Sequence, residues 1–203
     1  MYGNHGSNPN IYRMKIGLFF GSFNPMHIGH KVIASYMAEF SELEQVWFVV
    51  SPQNPLKQKQ SLLDQYHRLM IIRMEVEDNP KLYASDIEFN LSQPSFTIDT
   101  LVHLKEQYPE NDFSLIIGAD NLQNFHKWKN YEQILVDYSV YVYPRPGIEI
   151  SGSHENIHIV KGVPQMEISA SFIRKSIKQG KDVSYLIPEK AWQYMDEMNF
   201  YKK

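Results

Sequence analysis

The residues of this 203-residue chain best suited to chemistry are crowded into Gly21-Ser22-Phe23-Asn24-Pro25-Met26-His27-Ile28-Gly29-His30. Its two imidazoles stand three positions apart, so at a helix start His27 and His30 share one face. Each can donate a hydrogen bond to a phosphoryl oxygen, or carry positive charge beside it, without attacking it. Gly21 comes before them with no Cβ, which lets backbone N–H groups approach an anion, and Pro25 stiffens the turn. A lone histidine near a helix start is more often a cap or a surface residue than a ligand. A pair flanking Gly29 after a Gly/Pro turn is much harder to explain as chance. A second concentration, Ile168-Ser169-Ala170-Ser171-Phe172-Ile173-Arg174, offers hydroxyls and a guanidinium fork able to engage two oxygens at once. Ser171 is the expected N-cap there. Taken alone, this stretch reads as an ordinary capped helix with a solvated basic face.

Zinc is the other chemistry that paired histidines serve. Zincin helices, however, space their histidines by four and add a helical glutamate, and both features are missing here. The chain has no cysteine at all, which also excludes disulfides, thiolate metal sites and cysteine nucleophiles.

The elements needed to position these residues follow from apolar patterning. Lys15 to Phe20 is a short, nearly continuous apolar run, as expected of a strand buried on both faces of a parallel sheet. From Ile28, apolar residues recur at spacings of three and four through Val32, Ile33, Tyr36, Met37 and Phe40, the pattern of an amphipathic helix. The histidines therefore fall at a helix N-terminus, where free N–H groups and the dipole favour negative charge. Further strands are expected at Val46–Val50, Leu82–Phe89, Phe113–Ile117, Tyr138–Tyr143 and Ile157–Val160. Helices are expected at Ser61–Asp78, Thr97–Tyr108, Ser171–Gln179 and Pro188–Asn199. Such alternation predicts an α/β, Rossmann-like, doubly wound and mostly parallel sheet with helices on both faces. Ligands then belong beyond the C-terminal strand ends, where Gly21, Ser51-Pro52 and Gly118 fall.

Composition narrows the function classes. Twenty Lys+Arg against 23 Asp+Glu leave a net charge of −3, so nonspecific nucleic-acid binding is not expected and phosphate attraction must be local. No apolar run approaches the roughly 18 to 20 residues of a membrane span, and residues 1–13 carry no signal-like hydrophobic region. We expect a cytoplasmic protein with no membrane partner, a flexible N-terminal extension over 1–13 and a single domain over 14–203. Oligomeric state is not readable from the sequence, which leaves a homo-oligomer open.

Gly21 to His30, with His27-Ile28-Gly29-His30 spelling the motif literally, resembles the signature of the nucleotidyltransferase superfamily related to the HIGH motif of class I aminoacyl-tRNA synthetases. Met14 to Tyr201 resembles the bacterial nicotinate-mononucleotide adenylyltransferases within it. The resemblance implies that Gly21, Ser22, Phe23 and Gly29 bind ATP with Ser169 and Ser171. The family carries a Ser-x-Thr-x-x-Arg element near the C-terminus; here Ser171 stands in the Thr place and keeps the hydroxyl. His27, His30 and Arg174 are the expected catalytic residues. Lys57 or Lys59, in a loop where the family has Pro-Pro-His-Lys, is expected to contact phosphate.

For the acceptor, Pro94-Ser95-Phe96-Thr97 resembles the family's Pro-Ser-Tyr-Thr segment, although Ser95 or Thr97 is also a plain N-cap candidate. Gly118 and Asp120 resemble a Gly-x-Asp whose carboxylate reaches a ribose hydroxyl; an Asp capping the next helix is an equally good reading of the residues alone. Trp128, flanked by lysines and histidine, is poorly placed as pure core and resembles a family Trp that stacks on the pyridine ring.

With donors and cations but no cysteine or paired carboxylate base, direct in-line transfer fits better than a covalent intermediate. The resemblance implies that ATP adenylylates nicotinate mononucleotide and pyrophosphate leaves, with Mg²⁺ carried by ATP and no metal held by the protein. Another adenylyl- or cytidylyltransferase of the superfamily, such as the phosphopantetheine enzyme, and a nucleotide-sensing module without turnover are the alternatives.

Overall fold

The computed structural model describes residues 12–52, 62–150 and 154–202. The apolar run before Gly21 forms β1 (Met14–Gly21), which pairs in parallel with β2 (Gln45–Val50) on one side and β4 (Asn111–Gly118) on the other. β3 (Leu82–Ser85) extends the sheet beyond β2, and β5 (Val140–Tyr143) and β6 (Ile157–Ile159) extend it beyond β4. The order is β3-β2-β1-β4-β5-β6, parallel throughout. After building one wing from β1, the chain returns to build the other. The connections leaving β1 and β4 therefore diverge, and a crevice opens beyond the C-terminal ends of those two strands.

Alternation along the strands feeds two cores. Phe19, Phe48 and Ile116 are buried with Ile33 and Met37 of α1 (Ile28–Phe40), Ile72 of α2 (Gln65–Val76), Ile173 of α6 (Ala170–Lys178) and Met195 of α7 (Glu189–Glu197). On the opposite face, Ile16, Leu18, Val49 and Leu115 are buried with Leu101 of α3 (Thr97–Gln107) and Ile134 of α5 (Tyr131–Asp137). The short α4 (Ala119–Gln123) follows β4 directly. This is the doubly wound α/β arrangement expected from the alternating pattern.

Element ends depart from expectation where polar side chains intervene. The strand expected over 82–89 stops at Ser85, whose hydroxyl accepts the Ile87 N–H at 3.3 Å, and a 3-10 turn occupies Ile87–Asn90. That turn drives Glu88 into the interior, where its carboxylate accepts from the Thr100 hydroxyl at 2.9 Å. α2 begins at Gln65 because Asp64 caps it, accepting from Tyr66 N–H at 2.8 Å. α7 covers Glu189–Glu197, with Pro188 at the cap position instead of within the first turn.

Arg68, on α2, is fully buried and gathers the strand-end loops. Its guanidinium donates to Ser22 O at 2.6 Å, Leu63 O and Ser51 O at 2.8 Å, and Pro52 O at 2.9 Å. The loops leaving β1 and β2 thus converge on one planar fork. Replacing Arg68 with Met leaves these carbonyls without their donor. We expect Arg68→Met to lower the unfolding free energy by about 3 kcal/mol, measured by urea denaturation.

Candidate active site

The turn after β1 is shaped by packing. Phe23 holds a left-handed φ of 44°, and its ring is 2 % exposed, so burial offsets a conformation that non-glycine residues seldom adopt. The ring lies over Gly21, where a Cβ would stand 2.8 Å from it. This close approach explains the glycine at the strand end. Asn24 and Pro25 follow, also buried.

At the start of α1, His27 and His30 stack with ring centroids 3.7 Å apart and planes 20° from parallel. His30 Nδ1 accepts the His27 backbone N–H at 3.2 Å, which leaves the His30 proton on Nε2. Gly29 makes room for the pair, since a Cβ there would stand 3.1 Å from His27 Nδ1. His27 is 6 % exposed, and burial, reinforced by the charge of Arg145, lowers its pKa to about 4. It is therefore neutral at physiological pH, able to meet an anion as a hydrogen-bond donor but not as a cation.

α6 brings a second group of donors, Ser169, Ser171 and Arg174. Ser169 is its cap, accepting from Phe172 N–H at 3.2 Å, so Ser171 falls inside the first turn and does not cap the helix as expected. The reason is register: Ser169 has the extended backbone that a cap requires, with φ −128° and ψ 145°, whereas Ser171 is already helical. Freed from capping, the Ser171 hydroxyl accepts from Arg174 at 3.3 Å. Another nitrogen of Arg174 donates to Asn24 O at 2.6 Å, fastening α6 to the turn after β1.

These groups line one cavity of about 640 Å³ at the divergence of β1 and β4. Gly21, Ser22, Phe23, His27 and His30 form one wall, and Ser169, Ser171 and Arg174 form another. Gly118, Asp120 and Trp128 form the side toward β4. At Gly118 a Cβ would collide with the Asp120 carboxylate, so the absence of a side chain is needed for that carboxylate's position. Asp120 lies in the first turn of α4, not at its cap, and its Oδ1 is 3.4 Å from Arg145 Nε. A smaller hollow of about 330 Å³ adjoins through Asp120, Arg145, Ile168 and Ser169 and adds Pro146, Ile148 and Met166.

Residues 18–176 match the cytidylyltransferase-like family model. The chain belongs to the cytidylyltransferase-like family. A Flavobacterium psychrophilum relative named "Probable nicotinate-nucleotide adenylyltransferase" is 54 % identical over 194 residues, covering 94 % of this chain and all of the relative. A Bacteroides thetaiotaomicron relative of the same name is 44 % identical over 187 residues, covering 91 % and 92 %. Among solved structures, Plasmodium falciparum nicotinic acid mononucleotide adenylyltransferase complexed with NaAD superposes with a TM-score of 0.77 at 18 % identity, covering 94 % of this chain and 98 % of that one. That likeness shows a shared fold.

In this cytidylyltransferase-like chain the structure brings together most, but not all, of the residues singled out from sequence. Pro94, Ser95, Phe96 and Thr97 are not among the residues lining the large cavity. Pro94 and Ser95 precede α3, Phe96 is its cap and Thr97 its first residue, with no side-chain cap from Ser95 or Thr97. Lys129 links them to the neighbouring Trp128 segment: its Nζ lies 4.7 Å from the Phe96 ring centroid and 3.0 Å from Asp99. Trp128 is half-buried against Phe125, with centroids 5.0 Å apart, while still reaching the cavity. Lys57 and Lys59 lie outside the described residues.

Sequence reasoning missed Arg145, Asn24 and Arg68. Arg145, in Pro144-Arg145-Pro146-Gly147 just after β5, carried a usable signal as a cation in a Pro/Gly turn at a C-terminal strand end. Among the described residues, no group of three or more His, Asp or Glu side chains is placed to hold a metal ion, and no helix is long and apolar enough to cross a membrane.

The buried imidazole makes stability depend on pH. Above about pH 6.5, the unfolded-state value, His27 is neutral in both states. As pH falls toward 4, the unfolded chain takes up a proton that the fold refuses, and stability declines by about 3 kcal/mol over that window. We expect His27→Gln to remove this part of the slope, measured as the difference in urea midpoints between pH 7 and pH 4.5.

Proposed function

We propose that this chain transfers the adenylyl group of ATP to nicotinate mononucleotide, giving nicotinate adenine dinucleotide and pyrophosphate, as a cytoplasmic step of NAD biosynthesis. The observation that carries the reading is the single cavity that joins the donors of two helix starts to the Asp120 and Trp128 side. Phosphate chemistry needs the first set and a riboside with a flat ring needs the second.

In this reading the triphosphate lies across the starts of α1 and α6. His27 and His30 donate from ring N–H groups, Arg174 supplies the fork, and Ser169 and Ser171 with the first-turn N–H groups meet the remaining oxygens. The adenine rests in the adjoining hollow, where Pro146, Ile148 and Met166 offer apolar contact to a flat ring and Arg145 stands at the rim. The acceptor ribose meets Asp120, and the pyridine ring stacks on Trp128. A phosphate oxygen of the mononucleotide attacks the α-phosphorus in line, the bond to the bridging β-phosphate oxygen breaks, and pyrophosphate departs with the electron pair. His27, His30 and Arg174 hold the growing charge on the oxygens. The neutral state of His27 is consistent with stabilisation by donation and with no proton transfer from that ring.

Mg²⁺ is expected to enter with ATP. The lining carboxylate, Asp120, is already beside Arg145, and the other polar side chains around it are imidazoles, hydroxyls, two amides, an indole and the Arg174 guanidinium. That donor set fits an ion held by phosphate oxygens and water. Once bound, the ion would offset triphosphate charge.

The test is product formation from ATP, Mg²⁺ and each candidate acceptor. Nicotinate adenine dinucleotide and pyrophosphate are expected, with a higher kcat/KM for nicotinate than for nicotinamide mononucleotide. Turnover with phosphopantetheine alone, or none with any acceptor, would overturn the reading. His30→Ala is expected to lower kcat by about 10² to 10³ at saturating ATP, and near-normal turnover would remove His30 from the mechanism.

A further inference from the structure

Tyr201 lies far along the chain from both phosphate-binding motifs, yet its hydroxyl donates to Asn24 Oδ1 at 2.5 Å. The same oxygen accepts the Leu63 N–H at 3.1 Å, which identifies it as the carbonyl end of the amide. Asn24 is 5 % exposed, lines the large cavity and stands three positions before His27. Its backbone carbonyl is the one that accepts from Arg174 at 2.6 Å. Asn24 is therefore held through its side chain by Tyr201 and Leu63, while its main chain holds the catalytic guanidinium.

Tyr201 itself is fixed by its surroundings. It adopts a left-handed φ of 64°, and its ring packs on the core that includes α7, next to Phe200 at 6.4 Å. Burial raises the phenol pKa against the pull of Arg174 and Arg68, so the hydroxyl keeps its proton and remains a donor throughout the working pH range. Packing alone would be satisfied by the ring. The hydroxyl serves a further purpose, because it ends on a residue of the cavity wall.

We infer that Tyr201 is a positioning residue for nucleotidyl transfer. Through Asn24 it fixes both the turn that presents His27 and the carbonyl on which Arg174 rests, so the grip on the triphosphate depends on a hydroxyl supplied from beyond α7. The inference rests on the ATP site proposed above but not on the identity of the acceptor. Two donors on one amide oxygen leave Asn24 little freedom to rotate, and the loss of one loosens the Asn24 carbonyl and Arg174 together.

Tyr201→Phe keeps the ring and removes only the hydroxyl. ATP with Mg²⁺ is titrated into the full chain by calorimetry, and kcat and KM are measured with nicotinate mononucleotide. We expect ATP affinity and kcat each to fall by about fivefold to tenfold, the scale of one buried hydrogen bond, with KM for the mononucleotide unchanged. In an Asn24→Ala background, with Asn24→Ser as the substitute if that variant does not fold, Tyr201→Phe should cause no further loss. A lowered Tm with unchanged ATP affinity and kcat would reduce Tyr201 to packing and overturn the inference, as would losses that multiply in the double variant. If the parent chain does not turn over nicotinate mononucleotide, the acceptor assignment fails and the ATP titration still decides the role of Tyr201.

Discussion

The buried guanidinium of Arg68 constrains everything built at the strand ends. A cation taken wholly out of water needs compensation, and here it comes from backbone carbonyls of three loop positions after β1 and β2 and one before α2. Each carbonyl is a dipole oriented by its loop, so the loops cannot move independently without exposing the charge to an unfavourable medium. The turn that carries His27 begins in one of those loops. The cavity wall that carries His27 thus stands on a charged, tightly bonded floor.

Above that floor the donors differ in character. His27 is made neutral by burial and by Arg145, whereas Arg174 keeps a permanent charge. Because His27 is neutral, its ring can lie 3.7 Å from that of His30 without the repulsion of two stacked cations. On the β4 side, the cavity changes to a carboxylate and an indole, groups suited to hydroxyls and flat rings. The cavity therefore has two chemically different ends.

Much of this was legible from residue order. Buried strands show themselves as short apolar runs, and the parallel class follows from their alternation with helices. The paired imidazoles after β1 point to an anion because few other roles require them at a helix start, whereas Ser169 to Arg174 alone reads as an ordinary capped helix and takes on that meaning only beside them. Boundaries were less readable. Nothing local tells Ser169 from Ser171 as the cap of α6, because both hydroxyls can serve and only the path of the incoming backbone selects one. The strand expected through Phe89 ends at Ser85, whose hydroxyl starts the 3-10 turn that sends Glu88 inward to Thr100, a contact across twelve residues that periodicity does not encode.

The sequence by itself determined the chemical inventory and the class of sheet, since both depend on residue types and on spacings of two, three and four within one segment. Tertiary structure alone decided which distant groups share the cavity and in what state. Arg174 reaches Asn24 across 150 residues, Arg145 arrives beside Asp120, and Tyr201 lands on the β1 turn. The neutrality of His27 also belongs to the folded state, because desolvation is a property of the packed environment and not of the residue.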